Sequence, residues 1–521
     1  MSCRWVFART ILVAVFLLGP AAAAGQSPVV LVDVNVIPMD HEGILEHQTI
    51  LVEGTRISQI GPTGSVSIPA NARVIAGQGA FVLPGLADMH VHFQRDAAEL
   101  LLDVANGVTS VRDLSGEDEY LRWRDEITSG DRVGPNLYLA SPLIDGARGK
   151  RVIAFLGAGT LGLGLVLFVV VYLLMSHFTT RPNIPRTVTV ALLGAALGTA
   201  FLIVRFVIPF PDYVMGRTRV AHEYVWSRAE AARAVRDGSA RYDQIKLYGN
   251  LTPGEFSAAL QAAGDAGIHT VGHVPRSVGL PSVLDSGMDE LAHVYFLVEE
   301  MLATTDTGVR LPESERNAAY RERLAQIVDQ VRSSGIDVTA TLMPLPELLE
   351  QFTDTTAFLA RNDLKYRTAE SVRLIRKRMA EGETIEALRS LKAHSTWGTV
   401  AAVGLYRSGV PLVLGTDASP LVAVTGFAVH DELRILVDGG LTPYEAISTA
   451  TVNAARIVGE GNLWGAIAPG MRADLIVVEQ NPLEDIAALS RLREVMVSGR
   501  LYDRDDLRDL LATVIERRRG T

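Results

Sequence analysis

The most informative stretch of the chain reads Phe81-Val-Leu-Pro-Gly-Leu-Ala-Asp-Met-His-Val-His-Phe93. An apolar run beside a Pro-Gly turn is typical of a buried strand, and residues two positions apart on a strand point to the same side. His90 and His92 therefore present two imidazoles on one face, and two neutral imidazoles can hold one metal ion. A chance pair of histidines is the alternative. The end of a strand is, however, where barrel enzymes carry their ligands, so the sequence favours a metal site.

Further strand-like stretches follow, and helical patterns lie between them. They are Gly107–Asp113, Pro135–Ser141, Tyr242–Tyr248, Ile268–His273, Met288–His293, Ile336–Leu342 and Val410–Asp417. Together with the first stretch they make a series of eight strands with intervening helices. This series predicts an α/β fold, a (β/α)8 TIM-like barrel over residues 81–462.

Both flanks of the barrel have a different character. Residues 28–80 and 463–501 contain short strands and turn residues without helical periodicity. We expect the two flanks to build one small composite β-sandwich domain.

Three apolar segments predict a membrane protein. Residues 1–24 combine early arginines, an apolar run and an Ala-x-Ala pattern, as in a signal peptide or an uncleaved signal anchor. Segments 151–175 and 187–209 are nearly free of charge and exceed the roughly 20 residues that span a bilayer. They predict a transmembrane helical hairpin, residues 151–209, inserted after barrel strand 3, with a pair of buried core helices as the weaker alternative. The expected location is a membrane of the cell envelope, with the catalytic domain on the extracytoplasmic (periplasmic) side.

Composition excludes several classes of function. Charged residues make up 21% of the 521 residues and the net charge is −10, which argues against a nucleic-acid surface built on basic excess. Cys3 is the single cysteine, so the folded body has no intrachain disulfide, thiolate metal site or cysteine nucleophile. Any metal must be held by nitrogen and oxygen ligands.

Four further strand ends carry residues suited to metal chemistry: Lys246, His273, His293 and Asp417. Closure of a barrel brings the strand ends into one cavity, which favours a ligand role over that of a buried structural residue. Asp417 can bind metal and carry a proton, with a helix N-cap as the alternative role. An ammonium offers only donors, but burial lowers the pKa of a lysine, and a neutral Lys246 can form a carbamate with carbon dioxide.

These residues and their order resemble the amidohydrolase superfamily, in particular its imidazolonepropionase-like and prolidase-like metal-dependent hydrolases. The resemblance covers most of residues 28–500. The matching pieces are Val82–His92, Gly107–Arg112, Asp243–Tyr248, Gly272-His273, Leu291–His293, Gly415–Asp417, Glu432-Leu433, Leu441–Ala446, Ala450–Ala455 and Ala468–Asp474.

The resemblance implies a site with two divalent metal ions. One ion would be held by His90, His92 and Asp417, the other by His273 and His293, and a carboxylated Lys246 would bridge the pair. Zinc suits imidazole and carboxylate ligands first, with manganese, iron or cobalt as alternatives. A hydroxide bridging the metals would attack the scissile carbonyl, and Asp417 would act as general acid and base.

Lys246 favours the prolidase-like side of the family, because imidazolonepropionases resemble mononuclear enzymes without the bridging lysine. The expected function is that of a membrane-anchored amidohydrolase that cleaves a C–N bond in an amide or dipeptide-like molecule. Because the enzyme is expected to lie at a bilayer, the substrate could be lipophilic. The alternatives are a cyclic amide or imidazolone hydrolase and a non-catalytic membrane receptor or scaffold with a barrel fold. The expected partners are the substrate and the lipid bilayer, and no nucleic acid is expected. The chain could also form a homo-oligomer. Candidate substrate contacts are Tyr248, His222, Tyr224 and Arg276.

Overall fold

The structure is a computed structural model that describes residues 27–147, 220–305, 312–419 and 422–519. The strands are β1 (Val29–Val36), β2 (Leu45–Glu53), β3 (Arg56–Pro62), β4 (Arg73–Ala76), β5 (Phe81–Pro84), β6 (Leu86–Val91), β7 (Val108–Asp113), β8 (Asn136–Leu139), β9 (Leu143–Gly146), β10 (His222–Val225), β11 (Ile245–Leu247), β12 (Thr270–Gly272), β13 (Glu290–Ala292), β14 (Asp337–Thr339), β15 (Leu412–Val413), β16 (Leu475–Val478), β17 (Leu492–Val497) and β18 (Arg500–Tyr502).

The α-helices are α1 (Glu99–Ala105), α2 (Asp118–Ser129), α3 (Arg228–Ser239), α4 (Pro253–Ala266), α5 (Leu280–Leu284), α6 (Tyr295–Thr305), α7 (Glu313–Ser334), α8 (Pro344–Thr353), α9 (Thr355–Leu359), α10 (Ala369–Glu381), α11 (Ile385–Arg407), α12 (Phe427–Asp438), α13 (Pro443–Thr449), α14 (Val452–Ile457) and α15 (Arg504–Arg519). Two 3-10 helices span Asn362–Tyr366 and Ile486–Ser490.

A closed parallel barrel forms the centre of the molecule. Its strands follow the order β6, β7, β8, β11, β12, β13, β14 and β15. Parallel bridges Ala140–Gln244 and Val91–Ala418 join β8 to β11 and β15 back to β6. Every residue of β6 and β7 is buried, as expected for parallel strands covered by helices. The predicted α/β class is confirmed.

Local sequence signals set the helix boundaries around the barrel. At the start of α4 the Thr252 hydroxyl accepts from the Glu255 N–H while the Glu255 carboxylate accepts from the Thr252 N–H. This capping box satisfies two backbone donors that the helix itself leaves unpaired. The helix ends at Gly267, whose φ of 64° is the left-handed conformation that glycine adopts readily.

A second sheet combines strands from both ends of the chain. Its order is β18-β17-β16-β5-β1-β2-β3, and β4 pairs with β1. β5 joins the two halves, because it runs parallel to β1 on one side and antiparallel to β16 on the other. Apolar side chains from β1, β2, β5 and β16 share one buried cluster.

The membrane-spanning part of the predicted fold is corrected. Among the described residues, no helix is long and apolar enough to cross a bilayer. Helices α7 and α11 have sufficient length, but both carry charged residues, among them Glu313 and Arg332 in α7 and Glu386 and Arg407 in α11. The fold with an inserted transmembrane hairpin is therefore wrong for this structure. Its segments 151–175 and 187–209 lie outside the described residues, as does segment 1–24.

The predicted location is corrected on the same finding. The predicted membrane location was based on the spanning segments, and none of the helices that the structure describes can cross a bilayer. Apolar length is a necessary condition for a spanning helix but does not by itself establish one.

Candidate functional site

The candidate site lies at the carboxyl ends of the barrel strands. Each predicted ligand lies within a barrel strand or just after one: His90 within β6 and His92 just after it, Lys246 within β11, His273 after β12, His293 after β13, and Asp417 after β15. The parallel order of the barrel brings these six residues to one end of one cavity.

His90, His92 and Asp417 form one cluster. Their ligand atoms all lie within 4.8 Å of one another. The Asp417 Oδ1 is 3.6 Å from the His90 Nε2 and 3.4 Å from the His92 Nε2. His90 is fully buried, and neither of its ring nitrogens has a hydrogen-bond partner among the described residues. An unpaired buried nitrogen is costly, so this donor set fits a bound cation.

His273 and His293 form an adjacent pair. Their Nε2 atoms are 3.0 Å apart, and the His293 ring centre is 4.6 Å from that of His90. The His293 Nδ1 contacts the Thr341 hydroxyl at 2.7 Å, which leaves Nε2 for the cavity. Burial lowers the pKa of His293 to about 3 and holds the pKa values of His273 and His90 well below their usual range. All three rings are therefore neutral, which is the form that binds metal.

Lys246 lies fully buried between these clusters and the barrel interior. Its Nζ has no hydrogen-bond partner in the described part of the chain. Burial lowers the pKa of Lys246 to about 7, although the charges of Asp417 and Glu290 oppose this shift. A large share of the side chain is thus the neutral amine near pH 7.

The barrel interior beside Lys246 contains a buried ion pair. The Arg112 guanidinium donates to the Glu290 carboxylate at 2.6 and 2.7 Å and to the Met89 carbonyl at 2.7 Å. Burial would raise the pKa of Glu290, but the Arg112 charge holds it well below its usual value. The pair is therefore fully ionised, and removal of one partner would leave a buried charge.

Hydrogen bonds behind the ligands fix their orientation. The His92 Nδ1 is 3.0 Å from the Ser115 hydroxyl, which in turn donates to the buried Asp113 carboxylate. The Asp88 carboxylate accepts from the Thr416 hydroxyl and N–H, immediately before Asp417. Such contacts hold a metal-ligating imidazole in one tautomer and one ring plane.

The backbone at Asp417 is constrained on both sides. Gly415 precedes it, and a Cβ at that position would lie 2.6 Å from the Cβ of His90, so a larger residue would push β15 away from β6. Asp417 has a φ of 49°, and His293 has a φ of 78°. Left-handed non-glycine residues cost about 1–3 kcal/mol each and cluster at functional sites.

Asp417 is a carboxylate at neutral pH. Burial would raise its pKa, but a hydrogen bond from His92 and the nearby His293, His92 and Lys246 lower it below the usual value. The side chain nevertheless keeps a third of its surface accessible, on the open side of the cluster. A carboxylate in this position can take up a proton within the cavity.

A pocket of about 490 Å³ opens beside His273. Aromatic rings form part of its wall: the Tyr248 ring is 4.3 Å from His273, and Tyr295 stacks on His293 at 4.8 Å. Arg276 lines the same pocket and makes no side-chain hydrogen bond or ion pair with the residues that the structure describes. Glu299 and Glu300 line the same pocket, so it combines aromatic rings with the Arg276 cation and two acidic side chains.

Two of the four predicted substrate contacts line this pocket, namely Tyr248 and Arg276. His222 and Tyr224 lie on β10, where their rings stack 5.3 Å apart. His222 is 5.5 Å from the Tyr248 ring, so the two residues adjoin the pocket wall without lining it.

Sequence reasoning missed other residues around the site. Tyr295 and Phe296 follow His293 by two and three residues and line the pocket. Their place just after a ligand-bearing strand is a signal that could have identified them. Ser115 and Thr341 give no comparable signal, because a hydroxyl behind a histidine is recognisable only once the strands are assembled.

Comparisons with known proteins agree with this architecture. Residues 249–502 match the family model described as the Amidohydrolase family. The chain is 25% identical to ochratoxinase of Aspergillus niger over 449 residues, 81% of this chain and 75% of that protein. It is 35% identical to imidazolonepropionase of Geobacillus kaustophilus over 102 residues, 19% of this chain and 24% of that one.

A solved structure similar to this chain is that of a Xaa-Pro dipeptidase with methionine bound in its active site. It matches with a TM-score of 0.60 and 20% identity, covering 92% of this chain and all of the other. At that identity the likeness is one of fold.

Proposed function

Since the chain belongs to the amidohydrolase superfamily, we propose that it is a metal-dependent hydrolase that cleaves the C–N bond of a small amide or dipeptide-like molecule. The observation that carries the proposal is the convergence of four histidines, Asp417 and a buried unpaired lysine at one end of the barrel. Ochratoxinase and the Xaa-Pro dipeptidase support the reaction class by analogy.

Two divalent cations fit the donor set, and zinc is the preferred metal. His90, His92 and Asp417 would hold one and His273 with His293 the other, because neutral imidazoles and a carboxylate are the ligands that zinc prefers. Lys246 would join them as a carbamate: its neutral amine adds to dissolved carbon dioxide and releases one proton. When bound, the cations supply an acidified water and polarise the scissile carbonyl.

The chain's own residues then move the proton. Asp417 is ionised and keeps a third of its side chain accessible, so its carboxylate can accept a proton when water attacks the carbonyl. The same carboxyl group can deliver that proton to the leaving nitrogen, which converts a poor amide anion into an amine. The Ser115 and Thr341 hydroxyls keep the imidazoles oriented throughout.

The pocket beside His273 would bind one end of the substrate. Arg276 lies beside Tyr248, Tyr295 and Phe296 and makes no side-chain ion pair with the described residues, although Glu299 and Glu300 line the same pocket. A free guanidinium beside aromatic rings favours a group that carries a carboxylate next to a flat apolar portion. An amide of an apolar amino acid with a free carboxylate has this chemistry. A cyclic amide that carries no carboxylate would leave the Arg276 guanidinium without an anionic group to bind.

Metal analysis and a substrate screen test the proposed function. Purified protein is expected to contain about two divalent ions per chain and to hydrolyse members of a library of N-acyl amino acids and dipeptides. A chelator should abolish turnover and readded zinc should restore it. Protein that binds no metal would support a non-catalytic scaffold, whereas turnover confined to imidazolones or lactams would support the cyclic-amide alternative.

Arg276→Ala tests the carboxylate contact. Loss of a hydrogen bond to a charged group costs about 1.5–3 kcal/mol, so KM for a substrate with a free carboxylate should rise roughly 10- to 100-fold with a smaller change in kcat. The matched control is the same substrate as its carboxamide, for which parent and variant should differ by less than about threefold. If Arg276→Ala raised KM equally for the carboxylate and the carboxamide, the substrate carboxylate would not bind to Arg276.

A further inference from the structure

The C-terminal helix α15 ends at the catalytic end of the barrel, far in sequence from the site. It leaves the composite sheet after β18 and packs against α1, the helix that follows the His90–His92 strand. Val514 is fully buried there, in one apolar cluster with Leu102 of α1 and Val424 of the segment after Asp417. The helix thus contacts segments that follow both strands of the first metal cluster.

Arg518, in the last turn of α15, joins two of these segments. Its guanidinium forms an ion pair with Asp96 and donates from Nε to the Tyr366 carbonyl at 2.9 Å. The side chain is only 11% exposed, so these contacts are shielded from solvent. Asp96 lies four residues after His92, and Tyr366 ends a 3-10 helix in the segment between β14 and α11.

The turn between His92 and Asp96 requires external support. Gln94 and Arg95 are consecutive left-handed residues with φ values of 49° and 64°. Such residues persist only where surrounding contacts determine them. Arg95 is held by the Tyr120 hydroxyl and by Glu117, and Asp96 by Arg518.

Tyr366 links the same contact to the other side of the site. Its ring stacks on Phe427 of α12 at 5.1 Å. The next residue, Arg367, donates to the Val422 carbonyl in the segment after Asp417. A displacement at Arg518 would therefore reach the strand ends of both His92 and Asp417.

We propose that Arg518 is a positioning residue for the catalytic site: through Asp96 and the Tyr366 carbonyl it fixes the turn after His92 relative to the segment after Asp417. The inference rests on the proposed function, because it assigns Arg518 a role in the geometry of that site. The residue itself touches neither the cluster nor the pocket.

The test uses the full-length Arg518→Ala variant. Hydrogen exchange should accelerate in peptides that cover residues 93–98 and 362–367 and stay unchanged in a peptide from α4. Zinc affinity, measured by competition with a chelating dye, should fall roughly 10-fold, as for other residues that orient ligands. With an active substrate, kcat should fall roughly 10-fold while KM changes less than about threefold.

Two further variants make the test specific. Arg508→Ala removes an exposed pair with Asp505 on the same helix and should leave exchange, zinc affinity and kcat as in the parent. Arg518→Lys keeps the charge opposite Asp96 and should restore protection of residues 93–98 and part of kcat. Unchanged exchange at residues 93–98 in Arg518→Ala, or no recovery in Arg518→Lys, would overturn the proposal. Exchange and zinc affinity need no substrate, so this outcome is distinguishable from failure of the hydrolase proposal.

Discussion

Lys246→Ala is expected to lose one of two bound metal ions and nearly all turnover. The Nζ of Lys246 is buried without a hydrogen-bond partner among the residues that the structure describes, and its lowered pKa makes the neutral amine available for carbamate formation. Metal ions contribute several kcal/mol of transition-state stabilisation, and about 1.4 kcal/mol corresponds to a factor of ten. The expected loss in kcat is therefore roughly 10³-fold. Elemental analysis of the purified variant measures the metal, and initial rates measure the turnover.

Chemical rescue separates a bridging role from a packing role. The alanine variant leaves space in the cavity, so acetate or propionate should restore part of the metal and of the rate. Lys246→Met fills that space with an apolar chain of similar length and should lose metal without being rescued. If the alanine variant kept two metals and full turnover, the assignment of a bridging lysine would fail.

Asp417→Asn should fold normally, retain part of the metal and lose roughly 10²- to 10⁴-fold in kcat, the contribution typical of a general acid and base. The backbone φ of 49° favours this substitution, because asparagine tolerates the left-handed region about as well as aspartate. The amide keeps the shape of the carboxyl group but cannot carry the proton. Steady-state kinetics with metal content determined on the same sample provides the measurement.

Asp88→Asn is the matched control for Asp417→Asn. Asp88 is also buried beside the site, where its carboxylate accepts from the Thr416 hydroxyl and N–H. Asp88 supports Asp417 only through Thr416, so its replacement should lower kcat less than Asp417→Asn does. A rate loss below tenfold in Asp417→Asn would show that another group moves the proton.

The barrel and the candidate ligands were predictable because each depends on local patterns. An apolar strand followed by a polar residue suffices to indicate His273, His293 or Asp417, and parallel closure then places them together. The pocket wall at Tyr295 and the Ser115 hydroxyl depend on how neighbouring loops meet, which no local pattern encodes. The roles of all these residues in catalysis stay predictions until the variants are measured.

The membrane prediction failed for a related reason. It used only the length and apolarity of segments 151–175 and 187–209. These properties show that a segment could span a bilayer, but not that it does. The strand predictions drew on a repeated series of eight, so each strand supported the others. The apolar segments belong to no such repeated series, so their interpretation had no comparable internal check.

The composite sheet also constrains how the chain folds as it is made. One edge of β5 pairs with β16, and Phe81 lies 397 positions before its partner Val478 (478 − 81). At 5–20 residues per second the ribosome needs about 20–80 s to supply that partner. During this interval the N-terminal strands expose an unpaired β edge, which is a template for pairing with other chains. Efficient production of the protein therefore depends on protection of this edge until synthesis is nearly complete.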